Sequence, residues 1–259
     1  MQNRNCLTIS SQCWELLNCS GGLCLRDVGD CWDRRNYPKT ADRCWELYQG
    51  LMTNVATNTT CLEWDEKILV AGVDEVGRGC IFGDVVAAAV IVKPSGLQDL
   101  QGAGVTDSKK LTAARREALV PVIHAHALSW GIGVATVAEI SQWDILTASL
   151  LAMERAIAQL DPQPEHCLVD GNQRLRFREI APLPQTTLIQ GDSRSLAIGA
   201  ASILAKVYRD GQMVALAREY PEYGLAENKG YGTLRHRQAI AKFGYTSLHR
   251  CGFQIKLPM

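Results

Sequence analysis

Ile68-Leu69-Val70-Ala71-Gly72-Val73 runs straight into Asp74-Glu75, and Gly77-Arg78-Gly79 follows at once. A short apolar run of this length reads as a buried strand. Two carboxylates where it emerges are costly unless something positive compensates them, because an unpaired buried charge costs far more than a hydrogen bond returns. A divalent cation is the usual compensation. Oxygen-only ligation suits Mg²⁺ or Mn²⁺, and glycines just beyond let a large polyanion approach the backbone. Successive side chains on a strand point to opposite faces, so the sequence predicts that the strand ends, bends or bulges at Asp74-Glu75 if both are to share one ion. An acidic pair in a surface turn is the plainer alternative. It loses ground because further acids in suitable settings recur downstream.

Outward from this stretch the pattern is regular. Gly77 to Gly83 reads as a tight connection and Asp84-Val85-Val86-Ala87-Ala88-Ala89-Val90-Ile91-Val92 as a second strand, stopped by Lys93-Pro94-Ser95-Gly96; the two strands predict an antiparallel hairpin. Thr112 can cap a helix through Arg115, Leu119 and Ile123. Leu128 to Val137 reads as a third strand, and Val137 to Leu160 as one or two amphipathic helices ended by Asp161-Pro162. His166 to Val169 and Thr186 to Ile189 are short strands, with helices over about Leu196 to Glu219 and Leu234 to Phe243. A hairpin followed by strand-helix alternation describes an α/β protein with a mixed sheet and helices on its faces.

Acids end these strands. Asp74 and Glu75 close the first, Asp170 closes the His166 strand in Asp170-Gly171-Asn172, and Asp192 directly follows the Thr186 strand in Gly191-Asp192-Ser193. Residues at the carboxyl ends of neighbouring strands in an open α/β sheet converge on one crevice. Four acids gathered there repel strongly, and one or two divalent ions would remove that repulsion and serve phosphoryl chemistry. Taken singly, Asp170 is also good turn chemistry and Asp192 a good helix cap; together with the adjacent pair they favour a site.

The 259 residues are enough for one sizeable domain plus an appendage. With 27 basic and 27 acidic residues the formal net charge is zero, so any attraction for a polyanion has to come from a local field. No apolar stretch is long enough to span a bilayer, and the amino end lacks the pattern of a secretory signal, which predicts a cytoplasmic protein without a membrane partner. Cys6, Cys13, Cys19, Cys24, Cys31, Cys44 and Cys61 all precede the first strand, with no Cys-x-x-Cys spacing and no histidine before His124. That argues against a zinc knuckle. Residues 1–66 are expected to be a poorly ordered extension or no part of the native chain, with Met52, before a polar run, as a candidate start; residues 67–259 are expected to form the domain that carries the acids.

At this point the residues resemble a known family. Ala71 to Gly79, Asp107-Ser108-Lys109-Lys110-Leu111, Val169 to Asn172, Gly191 to Ser193, Ala200 to Asp210 and Lys229-Gly230-Tyr231 together look like bacterial ribonuclease HII, in order from about Ile68 to Gly252. The resemblance implies a ribonuclease-H-like fold, a mixed five-stranded sheet flanked by helices with a helical carboxyl-terminal part. It also implies a metal-dependent endonuclease that cuts the RNA strand of RNA/DNA hybrids and nicks duplex DNA 5′ to embedded ribonucleotides, leaving 3′-hydroxyl and 5′-phosphate ends, as in ribonucleotide removal from DNA. The family's four acidic metal-site residues carry over to Asp74, Glu75, Asp170 and Asp192, with Mn²⁺ or Mg²⁺ as cofactor and two ions in the substrate complex. Gly77, Arg78 and Gly79 would sense the ribose 2′-hydroxyl through their backbone; Tyr231 would stack on the sugar at the RNA-to-DNA junction. Lys109, Lys110, Lys206 and Arg209 are candidate phosphate contacts, and a monomer is expected. One departure is Gln190, where the family commonly has lysine, which removes a positive charge beside the fourth acid. Beyond Gly252 the chain ends quickly, so the family's variable last helix is short or absent.

Two rivals remain at this stage. A dinucleotide-binding enzyme would place a glycine turn after a strand, but Asp74 and Glu75 would repel pyrophosphate, and Val85 to Val92 reads as strand where that motif needs a helix. A non-catalytic nucleic-acid-binding protein would be favoured by a missing carboxylate, and none is missing.

Overall fold

The computed structural model describes residues 69–253 and 255–257. The expectations for residues 1–66, the candidate start at Met52 among them, lie outside the described residues.

β1 (Val70–Val76) and β2 (Val85–Val92) form the antiparallel hairpin, running from Ala71 opposite Ile91 to Val76 opposite Val86. β3 (Ala127–Ala135) adds antiparallel to β2, while β4 (His166–Asp170) adds parallel to β1 and β5 (Gln185–Leu188) parallel to β4. The sheet is therefore mixed, as the sequence predicts, and five-stranded, as the family resemblance implies; its strand order is β3-β2-β1-β4-β5.

β2 shows why helices must cover both faces. Val85, Ala87, Ala89 and Ile91 point to one side, and Val86, Ala88 and Val90 to the other; all are buried. α4 (Ile145–Ala158) packs on the first side through Ala148, Ala152, Met153, Ala156 and Ile157. Its approach is close because Gly131 and Gly133 of β3 lack side chains: a Cβ there would stand 2.3 Å from the Ala156 carbonyl oxygen and 1.9 Å from that of Ala152. α5 (Leu196–Glu219) lies on the second side, its Ala200, Ala201, Leu204 and Ala205 joined by Leu119 and Ile123 of α2 (Ala113–His126). Thr112 caps α2 as expected, accepting from the Arg115 amide.

The Val137 to Leu160 region is two helices. α3 (Val137–Gln142) starts in a capping box between Thr136 and Glu139, and Asp144 caps α4. α1 (Leu97–Gly102) and α6 (Leu225–Asn228) are single short turns of helix that the sequence does not announce. α6 and α7 (Leu234–Phe243) build the helical carboxyl-terminal part on a separate apolar cluster of Ile81, Phe82, Met213, Tyr223, Leu225 and Ile240. At the outer edge of β3 the side chain of Gln159 binds both backbone groups of Ile132, its Nε2 donating to the carbonyl at 2.6 Å and its Oε1 accepting from the amide at 3.4 Å. Arg155 Nη1 donates to the Val134 carbonyl at 2.8 Å.

Candidate active site

The acids meet without any break in β1. The strand runs to Val76, and its pairing with β2 is regular past both carboxylates, Asp74 opposite Ala88 and Glu75 opposite Ala87. The expected end or bulge at Asp74-Glu75 is corrected accordingly: the two side chains point to opposite faces, Asp74 toward α5 and Glu75 toward α4. It is the neighbour that stops. Pairing of β1 with β4 ends at Val73 opposite Val169, so the residues of β1 that carry the charge lie just beyond its last partner in β4. Side chains from either face can then reach the notch in front of Asp170, the last residue of β4.

Beyond β5 the chain turns through Gln190 in the left-handed region (φ 56°). Gly191 then donates its amide to Asp170 Oδ1 at 2.7 Å, and Asp192 follows, buried. α5 begins immediately after, capped by Ser195. Its first turn touches β1 only because residue 72 is glycine; a Cβ there would stand 2.3 Å from the backbone of Ala197 and Ile198. Helix and strand are thus drawn together next to Asp74.

The electrostatics are those of crowded like charges. Burial, with Glu75 and Asp170 close by, pushes the Asp74 carboxyl well above the usual carboxylate range, against hydrogen bonds from Ser202 and the Glu75 amide. Burial also raises Glu75, with Arg78 opposing and Asp170 adding to the rise; Arg78 Nη1 lies 3.2 Å from Glu75 Oε1. Asp192 is raised by burial and by Asp107 and Asp170, with Lys109 opposing. Lys109 is the local counter-charge, its Nζ 3.5 Å from Asp192 Oδ2. Burial acts to lower it, yet Asp192, Asp74, Asp107 and Asp170 together hold it above its ordinary value. The donor chemistry, carboxylate oxygens whose mutual repulsion a cation would relieve, fits Mg²⁺ or Mn²⁺. No three acidic, histidine or cysteine side chains among the described residues stand in ready-made ligating geometry.

The other predicted residues divide. Gly77, Arg78 and Gly79 follow Glu75 directly, and Arg78 and Gly79 are exposed. Tyr231 is 42% exposed and lies beneath Lys206, whose Nζ is 5.9 Å from its ring centroid and 2.8 Å from Asp210 Oδ1. Lys110 is exposed in the same short turn as Lys109. Arg209 is a correction. It is fully buried, donating from Nε to the Asp84 carbonyl at 3.0 Å, from Nη1 to Lys229 at 2.8 Å and from Nη2 to Phe82 at 2.9 Å. A guanidinium spent on three carbonyls in the interior does not face a phosphate. It also dictates glycine at position 77, where φ is +98° and a Cβ would stand 2.3 Å from Arg209 Nε.

Sequence reading overlooked several groups. Asp107 stands against Asp192 and was visible as the first residue of the Asp-Ser-Lys-Lys run. Ser108 and Ser202 bond each other at 2.8 Å, tying that run to α5, and Arg116 donates to the Ser108 and Leu111 carbonyls. Arg250, 1% exposed, binds the Gly77 to Asp84 connection, and nothing local in the sequence signals it.

Against solved structures the fold aligns with the ribonuclease H2 of Pyrococcus horikoshii, with a TM-score of 0.63 and 25% identity over 72% of this chain and 94% of that one. Fold and acidic notch together define an enzyme of the ribonuclease H class. A family model described as Ribonuclease HII matches residues 71–256. The ribonuclease HII of Synechococcus elongatus is 55% identical over 184 residues, 71% of this chain and 84% of the relative. That of Bacteroides thetaiotaomicron is 48% identical over 191 residues, 74% and 92%. The chain belongs to the ribonuclease HII family.

Proposed function

We propose that this ribonuclease is a divalent-metal-dependent endonuclease acting on the RNA strand of RNA/DNA hybrids and on duplex DNA with embedded ribonucleotides. In the second substrate it nicks on the 5′ side of the ribonucleotide, leaving 3′-hydroxyl and 5′-phosphate ends. The observation that carries the reading is the gathering of Asp74, Glu75, Asp170 and Asp192 around the end of β4, with three of them raised by burial and their neighbours. Such a cluster is a poor stabiliser of the fold and a good receptor for cations.

Those four carboxylates would hold Mg²⁺ or Mn²⁺, two ions when substrate is bound. Bound there, the ions supply Lewis acidity and a nucleophile for in-line displacement at phosphorus. The chain's own residues do the rest. Arg78 and Lys109 counter the acids while no substrate is present, and Lys109 and Lys110 meet the phosphate backbone. The exposed Arg78-Gly79 backbone admits the 2′-hydroxyl, the group that separates RNA from DNA, and Tyr231 offers its ring to the adjoining sugar. The 2′-hydroxyl positions the substrate and is not the nucleophile. The protein acts as a monomer.

The test is incubation with labelled duplex DNA carrying one ribonucleotide, in Mg²⁺ or Mn²⁺, beside an all-DNA duplex. The expected result is one nick 5′ to the ribonucleotide with a 3′-hydroxyl end, and none in the control. A 2′,3′-cyclic phosphate product would overturn the chemistry; binding without cleavage would leave a nucleic-acid-binding module.

A further inference from the structure

The two segments that would read the ribose, Gly77 to Gly79 and Tyr231, are 152 positions apart in the chain (231 − 79). One buried dipeptide, His249-Arg250, holds both. Its backbone is laid against the connection between β1 and β2: Gly83 donates to the Leu248 carbonyl at 2.8 Å and Arg250 to that of Ile81 at 2.9 Å. From that position the two side chains diverge.

Arg250 takes the turn. Its Nη1 donates to the carbonyls of Gly77 at 2.7 Å, Arg78 at 3.2 Å and Cys80 at 2.8 Å, its Nε to Gly83 at 2.8 Å and its Nη2 to Asp84 at 3.1 Å. In a trans peptide the carbonyl and the following amide point in opposite directions. Drawing the Gly77 and Arg78 carbonyls inward therefore turns the amides of Arg78 and Gly79 outward. Neither amide donates to a carbonyl among the described residues, and the side of Gly79 where a Cβ would project is open to at least 4 Å.

His249 takes the tyrosine through a relay whose direction is fixed. The Thr246 amide donates to His249 Nδ1 at 2.9 Å. Burial, with His236 beside it, pushes His249 down to about 4, so near neutral pH its one ring proton is on Nε2. That proton faces His236 Nε2 at 3.3 Å, which must accept, leaving His236 Nδ1 to donate to the Tyr231 carbonyl at 3.0 Å. Phe82 and Tyr223 pack edge-on against His249, with ring centroids 4.8 and 4.9 Å away, and fix its plane.

We propose that His249-Arg250 is a positioning clamp that sets the register between the outward-turned amides of the glycine turn and Tyr231, and so the fit to a ribonucleotide. The clamp rests on the reading of those two segments given above. Neither side chain touches the reacting atoms.

Replacing Arg250 strips the connection of five bonds and risks the fold, so the test uses His249→Phe, which keeps a ring in the aromatic cluster. Its companion is His249→Gln, whose amide nitrogen can still donate toward His236. Each is made in the wild-type and Tyr231→Ala backgrounds, and kcat and KM on the single-ribonucleotide duplex are corrected for folded fraction. Misplacement of a substrate-positioning group predicts a loss of roughly ten- to a hundredfold in kcat/KM for His249→Phe in the wild-type background. His249→Gln should recover most of it, and His249→Phe should cost nothing further in the Tyr231→Ala background, because coupled residues are non-additive. An equal loss in both backgrounds overturns the clamp while leaving the ribose reading intact. A Tyr231→Ala enzyme as active as wild type overturns the ribose reading itself, and the clamp with it.

Discussion

Two clusters of charge flank the Gly77 to Gly79 turn, and they obey opposite rules. On one side Asp74, Glu75, Asp170 and Asp192 are pressed together, with Arg78 and Lys109 as partial counter-charges. On the other, Arg209 and Arg250 are more deeply buried, yet each guanidinium nitrogen has a carbonyl partner. Burial alone therefore does not distinguish a site from a scaffold. A charge whose environment is complete holds the chain together; one whose environment is incomplete awaits a ligand.

The sharpest break in the comparison would come from Asp74→Asn. It should lower cleavage by about 10²–10³-fold or more, the scale of losing a group that stabilises transition-state charge. The melting temperature of the metal-free protein should rise, since one of the repelling charges is gone. Activity assay and calorimetry on one preparation read both, and a variant both inactive and less stable would place Asp74 with the scaffold.

Arg209→Met tests the other side. It leaves three carbonyls without their donor, at about 1–3 kcal/mol each, so urea unfolding should show a loss of at least roughly 3 kcal/mol. A change within about 0.5 kcal/mol would put Arg209 among ordinary surface residues.

The sequence shows one of these regions better than the other. Acids at strand ends are visible because the end of an apolar run is a local signal, and Asp74, Glu75, Asp170 and Asp192 were found that way. That strand ends converge is a general rule of such sheets; how both faces of β1 take part was not visible. It depends on the pairing of β1 with β4 stopping at Val73, a fact of pairing between strands that no run of residues records. Arg209 left a trace that was passed over: it sits four residues from Ala205 and four from Met213, both buried, on the apolar stripe of α5. Arginine on such a stripe is an interior residue, whatever the general habit of charged helix residues. Arg250 left none, because its partners are backbone carbonyls remote in the chain, and the histidine relay left none, because what joins its members is the fold of the last helix and the turn after it rather than a motif.

A third measurement sharpens the acidic side by pH. A carboxyl raised in the folded chain favours folding while protonated, fully so below its unfolded value, and this contribution is lost as pH climbs through the raised folded value. Metal-free protein should therefore lose stability from just above the ordinary values of 3.8 and 4.5 for Asp74 and Glu75 upward. Mg²⁺ or Mn²⁺ at a hundredfold excess over Kd should return about 2.7 kcal/mol at neutral pH and nothing at a pH where the cluster is protonated. Stabilisation independent of pH would mean that the ions bind elsewhere.

The smallest effect is expected from Gln190→Lys, which places a cation next to the notch on an exposed turn. An exposed pair is worth about 0.2–1 kcal/mol, so kcat/KM at low salt should rise by roughly two- to fivefold and return toward wild type as salt screens it. A salt-independent gain would point to a shape effect of the side chain.

The Gln159 side chain that binds both backbone groups of Ile132, with Arg155 on Val134, has a consequence outside catalysis. An unpaired strand edge is a template on which further chains can polymerise. Here the outermost strand is already completed by an amide that imitates a neighbouring peptide. Copies of the protein brought side by side would find the Ile132 and Val134 positions of that edge already occupied.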